Sequence, residues 1–160
     1  KFTIGQCHPK GHKITWMMTI QRANLILNHH FFSFKNNNEW KPSGMEKRRV
    51  LKKFKVNENH GTDSWTNIRI NFKNSKKPDG KLKVWIDGKI AYDYEGPTNW
   101  GKKKHKGNYT NKCYFKFGIY TNANQKAEHK HLAEGMTVFT DYMAMAKTEE
   151  KLEALLLKDK

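Results

Sequence analysis

No window of the chain approaches the roughly 18 consecutive apolar residues that a membrane-spanning helix needs, and mean hydropathy is −0.94. A helical span within these residues is therefore excluded. Acidic residues are scarce: 15 Asp and Glu stand against 31 Lys and Arg, a formal charge of +16. Such an excess biases encounters towards polyanions, whether nucleic acid, an anionic membrane or an acidic polysaccharide. No nucleic-acid-binding motif is present, and the lysines are scattered rather than gathered on one element, which argues against nucleic acid. Cysteine is limited to Cys7 and Cys113. The pair leaves open a disulfide, a metal site with neighbouring histidines, or buried thiols, and buried thiols are the default expectation. Zinc is disfavoured because Cys7 and His8, as neighbours on a strand, face apart. No internal repeat is evident.

The 160 residues suit one domain with a real core. Because the chain opens at Lys1 on Phe2-Thr3-Ile4, already strand-like, an N-terminal part is expected to precede it. Aromatic and β-branched runs separated by turn signals predict an all-β fold. The clearest run is 81–87, where Leu82, Val84 and Ile86 alternate with Lys81, Lys83, Trp85 and Asp87. Asp87-Gly88 then turns the chain into the partner strand 90–94. Upstream, Ile68, Ile70 and Phe72 alternate with Asn67, Arg69 and Asn71, and Pro78-Asp79-Gly80 supplies the turn between the two strands. An earlier hairpin is predicted around Gln21-Arg22-Ala23, and a last strand over Met136 to Tyr142. Segments 35–55 and 100–112, rich in Lys, Asn and Gly, read as long surface loops. From Thr148, a capping residue, two glutamates and the stripe Leu152, Leu155, Leu156 predict a short helix packed outside the sheets. The domain is thus expected over 1–146, with the helix at 147–160.

Two segments carry chemistry. In Tyr114-Phe115-Lys116-Phe117-Gly118-Ile119-Tyr120 a period of two puts Tyr114, Lys116, Gly118 and Tyr120 on one face, and Phe115, Phe117 and Ile119 in the core. Gly118 leaves room for a close approach to the sheet. Gln6-Cys7-His8 repeats the pattern, with Gln6 and His8 facing together. If both faces share one concave sheet, the groups suit β-elimination from a uronate. A base removes the proton beside the carboxylate, an acid protonates the departing glycosidic oxygen, and hydrogen-bond donors or cations neutralise the carboxylate. His8 can serve as base; Tyr120 can serve as base, acid or both. In His29-His30, neighbours on a strand point to opposite faces, so one of the two can enter the cleft.

Gln6-Cys7-His8 resembles the Gln-Ile-His motif, and the segment from Tyr114 to Asn122 resembles the Tyr-Phe-Lys-Ala-Gly-x-Tyr-x-Gln motif, of alginate lyases with the concanavalin-like jelly-roll fold. The stretch from Gly80 to Tyr120 is similar to the related heparin-lyase-like and glucuronan-lyase group. The resemblance implies a β-jelly-roll sandwich of two antiparallel sheets with a concave substrate face. It implies catalytic roles for Gln6, His8 and Tyr120, and substrate contact by Lys116, with Tyr114, Asn122, Arg69 and His30 as further candidates. Cys7 stands where the motif has an aliphatic residue and Asn122 where it has Gln. The arginine that those lyases carry before the first motif has no counterpart after Lys1. It is expected in a preceding segment, with Arg69 or a lysine as substitutes.

The resulting expectation is a monomeric, secreted or extracellular polysaccharide lyase acting on an acidic uronate polymer, with neither nucleic acid nor membrane as partner. No metal or organic cofactor is required by the scheme, and a structural calcium ion is compatible with it. A non-catalytic carbohydrate-binding domain of the same fold, stacking sugars on Trp85, Trp100 and Tyr120, is the alternative. A nucleic-acid-binding protein ranks below both.

Overall fold

A computed structural model describes residues 2–9, 15–35, 39–55, 65–75, 77–98, 113–120, 140 and 143–157. They form two antiparallel sheets and one helix, an all-β sandwich with a C-terminal helix. The strands are β1 (Phe2–Pro9), β2 (Trp16–Gln21), β3 (Asn24–Lys35), β4 (Glu39–Lys53), β5 (Ile68–Lys73), β6 (Lys81–Ile86), β7 (Lys89–Glu95) and β8 (Cys113–Tyr120). The first sheet has the order β4-β3-β2-β1-β8, and the second β5-β6-β7. Chain-distant β1 and β8 are thereby neighbours.

Alternation drives the sandwich. Leu82, Val84 and Ile86 of β6 meet Cys7, Trp16, Met18, Leu25 and Leu27 of the larger sheet in one core. Each such fully buried side chain contributes roughly 1.5–3 kcal/mol. Turns set the registers. Asp87 and Gly88 take φ of 51° and 79° between β6 and β7, the left-handed pair that matches strand twist in a two-residue hairpin. Asp87 also binds outward: its carboxylate accepts from the Asn67 N–H at 2.9 Å and from Lys52 Nζ at 2.7 Å. The Lys52 ammonium, followed by that N–H, holds the carboxyl below its usual range. Between β2 and β3, Arg22 and Ala23 adopt φ of 49° and 55° without glycine. Asn24 compensates by donating its amide to the Gln21 and Arg22 carbonyls at 3.3 and 2.7 Å.

Several expectations change. Most of segment 35–55 is not loop but the long strand β4, paired with β3 from Lys35↔Glu39 to Asn24↔Lys53. In the described sheet β4 is an edge strand, a place that the Lys, Pro and Gly content of its sequence suits. Cys7 and Cys113 are not thiols; they form a disulfide with Cα atoms 5.9 Å apart. Pro9 lies opposite Cys113 and Cys7 opposite Phe115, so the two cysteines are diagonal neighbours on the core side. Helix α1 (Glu149–Leu157) is capped by Thr148, whose Oγ1 accepts from the Lys151 N–H at 3.4 Å. Its leucines are not packed away, since Leu155 and Leu156 remain 38% and 39% exposed. The helix is held by ion pairs from Glu149 and Glu153 to Arg69. Phe117 is 43% exposed on edge strand β8, while Phe115 packs on the core. Segment 100–112, and the strand expected over Met136 to Tyr142 except Thr140, lie outside the described residues.

Among the described residues, the core holds the polar pair His29 and Tyr92. Leu25 and Leu27 carry the inward period of β3 on to His29, which is fully buried. Its Nδ1 lies 2.8 Å from Tyr92 Oη, and its ring meets Tyr94 edge-on at 4.6 Å. Burial, reinforced by neighbouring Tyr94, pushes the Tyr92 phenol up from 10.0 to about 12, with Arg49 acting weakly the other way.

Two predictions follow from this packing. The unfolded chain releases the Tyr92 proton near pH 10 while the folded chain keeps it to about 12. Its stabilising contribution is therefore complete below pH 10 and is lost as pH rises through about 12. Tyr92→Phe should flatten this decline in urea midpoints between neutral and strongly alkaline pH. It should also cost about 1 kcal/mol at neutral pH by removing the buried hydrogen bond between Tyr92 and His29. Replacing both Cys7 and Cys113 by Ala should cost about 2–5 kcal/mol, read as a lower urea midpoint under oxidising conditions. Wild type treated with a reductant should match the double variant.

Candidate active site

Cys7 is drawn into the core and bonded there, so its neighbours Gln6 and His8 occupy outward register positions on β1. The register with β8 sets Gln6 opposite Lys116 and His8 opposite Tyr114. Cross-strand partners share a face. Beyond Gly5↔Phe117 the pairing slips, and Thr3 stands opposite Tyr120. Gly118 makes the slip: its φ of 135° suits no L side chain, whereas a Cβ there would meet nothing within 4 Å. The glycine expected to admit a close approach thus serves first as a bulge. A matching shift between β1 and β2 keeps Thr3 on the face of Gln6. The Thr3 Oγ1 contact with Met17 Sδ, at 3.3 Å, confirms it, because Met17 lies opposite Gln6. Gln6, His8, Lys116, Tyr114 and Tyr120 accordingly hold positions along one border of a single sheet face. His8 and Tyr120 are described through their backbones, and Asn122 lies outside the described residues.

The face continues across the sheet as two rows. One runs Lys116, Gln6, Met17, Asn28, Arg48; the other Tyr120, Thr3, Thr19, Ile26, Val50. Its centre is polar and buried: Thr3, Gln6, Thr19 and Asn28 are all under a tenth exposed. Asn28 Nδ2 donates to Thr19 Oγ1 at 3.3 Å. Gln6 Oε1, by contrast, is buried with no hydrogen-bond partner among the described residues. Such an orphan costs about 1–3 kcal/mol and calls for an explanation. A ligand group arriving at Gln6 supplies one, because the amide can turn either its N–H₂ or its oxygen to the incoming atom. Lys116 Nζ lies 5.3 Å from the centre of the Tyr114 ring, a cation–π contact that holds the ammonium at this border. His30, half-buried, follows Asn28 by alternation on the same face, and its neighbour His29 fills the core.

Arg69 does not join them. With Ile68, Ile70 and Phe72 packed against the core, it emerges on the far side of the second sheet. There it pairs with Glu149 and Glu153 and lies 5.1 Å from the Trp85 ring. Trp85 shares that outer face and is flanked by Lys83 at 5.4 Å as well, so it too is separated from Gln6 by the thickness of the sandwich. Trp100 lies outside the described residues.

Sequence reading missed Thr3, Met17, Thr19, Asn28 and Arg48. The usable signal was the alternation of Met17 and Thr19 against Trp16 and Met18, blurred because Met17 and Ile26 are apolar on the polar face. None of the curated proteins and none of the solved structures matches. The family model described as Polysaccharide lyase matches residues 1–140. A match over that share of the chain, on a sandwich whose sheet face gathers the motif positions, makes the protein a member of the polysaccharide lyase family.

Proposed function

We propose that this chain cleaves an acidic, uronate-containing polysaccharide by β-elimination on the outer face of the five-stranded sheet. The observation that carries the reading is the register of β1 with β8, which sets Gln6 beside Lys116 and Tyr120 beside Thr3 on one border. A uronate carboxylate laid there meets the Gln6 amide, whose partner atom is missing, and the Lys116 ammonium. Together they withdraw its charge, so that the electrons left when the neighbouring ring proton departs spread into the carboxylate. His8 and Tyr120 share the proton work. One takes the ring proton, and Tyr120, at the far end of the border, gives a proton to the departing glycosidic oxygen. The carbon–oxygen bond breaks as the ring double bond forms, leaving an unsaturated uronate and a free hydroxyl. No water is consumed.

His30, Tyr114 and Asn122 are the remaining substrate contacts in this scheme, and Arg69 is released from it. The disulfide agrees with a secreted protein folded in an oxidising compartment, and we take the chain to act as a monomer. Turnover is favoured over binding alone because Trp85, one of the three stacking platforms of the lectin-like reading with Trp100 and Tyr120, lies on the opposite side of the sandwich between two cations.

The test is a panel of glucuronan, alginate blocks, heparin and hyaluronan, followed for new ultraviolet absorbance. At least one polymer should yield it. Tyr120→Phe should lower kcat by about 10²–10⁴, and Gln6→Ala by about 10² or more, with Gln6→Ala remaining folded at the assay temperature by its unfolding midpoint. Full activity in Tyr120→Phe would remove the phenol from the mechanism, and absence of absorbance with every polymer would remove the reaction.

A further inference from the structure

The described cations are distributed unevenly over the two sheets. Every ion pair among the described residues uses an acidic group of the second sheet, its turns or α1: Asp79, Asp87, Asp93, Glu95, Glu149 and Glu153. Arg48, on the first sheet, is paired with none of them. It stands opposite Asn28 at the β4 end of the polar row. Its side chain lies on the same face as Gln6, because its Nη2 donates to Gln21 Oε1 at 2.9 Å and Gln21 continues the outward period of Met17 and Thr19. That contact uses one of five guanidinium donors and fixes the side chain, leaving donors for a planar anion.

We propose that Arg48 is a second carboxylate-binding point, specific for a uronate further along the polymer than the one held by Gln6 and Lys116. This rests on the lyase reading above. Arg48 stands three strands from Gln6 along that row, roughly 14 Å across the sheet, and its guanidinium reaches from there towards Gln21. No single sugar ring spans that distance, so Arg48 cannot neutralise the carboxylate at the reacting unit. Between the two points lie Thr3, Thr19 and Asn28, whose hydroxyl and amide groups meet sugar hydroxyls, over an apolar floor of Met17 and Ile26. The geometry is that of a track with an anion anchor at each end.

The consequence is length dependence. With size-fractionated oligomers of whichever of the four polymers wild type cleaves, Arg48→Gln should raise KM about tenfold for long oligomers. It should leave KM for the shortest cleaved oligomer, and kcat for both, within about twofold. Lys77→Gln, which removes the same charge from an exposed turn of the other sheet, should change neither. Equal rises for short and long oligomers, or no rise at all, overturn the anchor while leaving the lyase reading intact. If wild type cleaves none of the four polymers of the panel above, the lyase reading fails. Calorimetric titration with the intact polymers then decides the anchor alone: weaker binding by Arg48→Gln supports it, whereas equal binding, or none by wild type, overturns it.

Discussion

Every position assigned to chemistry depends on how β1 is registered against β8, and that register is fixed at two places. At one end, the disulfide between Cys7 and Cys113 ties the strands across 106 residues of sequence. At the other, Gly118 and the shift near Gly5 let both strands slip together, so that Tyr120 meets Thr3. In a sheet, a one-residue error sends every side chain to the opposite face. An unbulged continuation from Gln6↔Lys116 would carry Tyr120 past Thr3 to the first residues of the chain. β8 is also an edge strand in the described sheet, with neighbours on one side only, and its Phe117 is half-exposed. The crosslink thus stabilises the member of the pair that packing holds least well.

Charge is sorted by the same architecture. On the second sheet, lysine and arginine alternate outward and are answered by carboxylates across the strands, as in Lys83 with Asp93 and Lys81 with Glu95. Exposed pairs of this kind contribute little to stability, at most about 1 kcal/mol each. They do, however, cancel the field on that side. Lys116 and Arg48 meet no such carboxylate among the described residues, so the cations described on the Gln6 face are not cancelled in the same way; under the proposed lyase reading they attract a polyanion, more strongly at low salt than at high.

What the sequence disclosed follows from how far each element obeys a simple period. β6 and β7 were legible because one face of each is core, the other is solvent, and Asp87-Gly88 marks the turn between them. The pair Gln6 and His8, and the alternation of Lys116 with Tyr114, were legible for the same reason. β4 was not: as an edge strand it carries lysine, proline and glycine, which in one dimension read as loop. Thr19 and Asn28 were missed because β2 and β3 lie at the centre of the larger sheet and are buried on both faces, so polarity and burial no longer vary together. Arg69 was misassigned because nothing in the order of residues says which of two sheets a strand joins. The cysteines posed a similar problem, since only the adjacency of β1 and β8 brings them within bonding reach.

The buried polar groups separate into two kinds, and the distinction bears on function. His29 and Tyr92 sit in the core, where the hydrogen bond between them and edge-on aromatic packing serve structure, and Trp16 Nε1 in that core likewise has no hydrogen-bond partner among the described residues. Thr3, Gln6, Thr19 and Asn28 are comparably buried on the opposite face of the same sheet, where stability alone would favour apolar residues of similar size. Asn28 and Thr19 satisfy one another in part, but Gln6 Oε1 has no partner among the described residues. A fold that tolerates an unsatisfied amide at the centre of a polar face, beside an ammonium held by a phenol ring, carries a local conflict that its packing does not require. A ligand that completes the hydrogen bonding resolves such a conflict, and this is the physical ground on which the proposed lyase site is set on the outer face of the larger sheet.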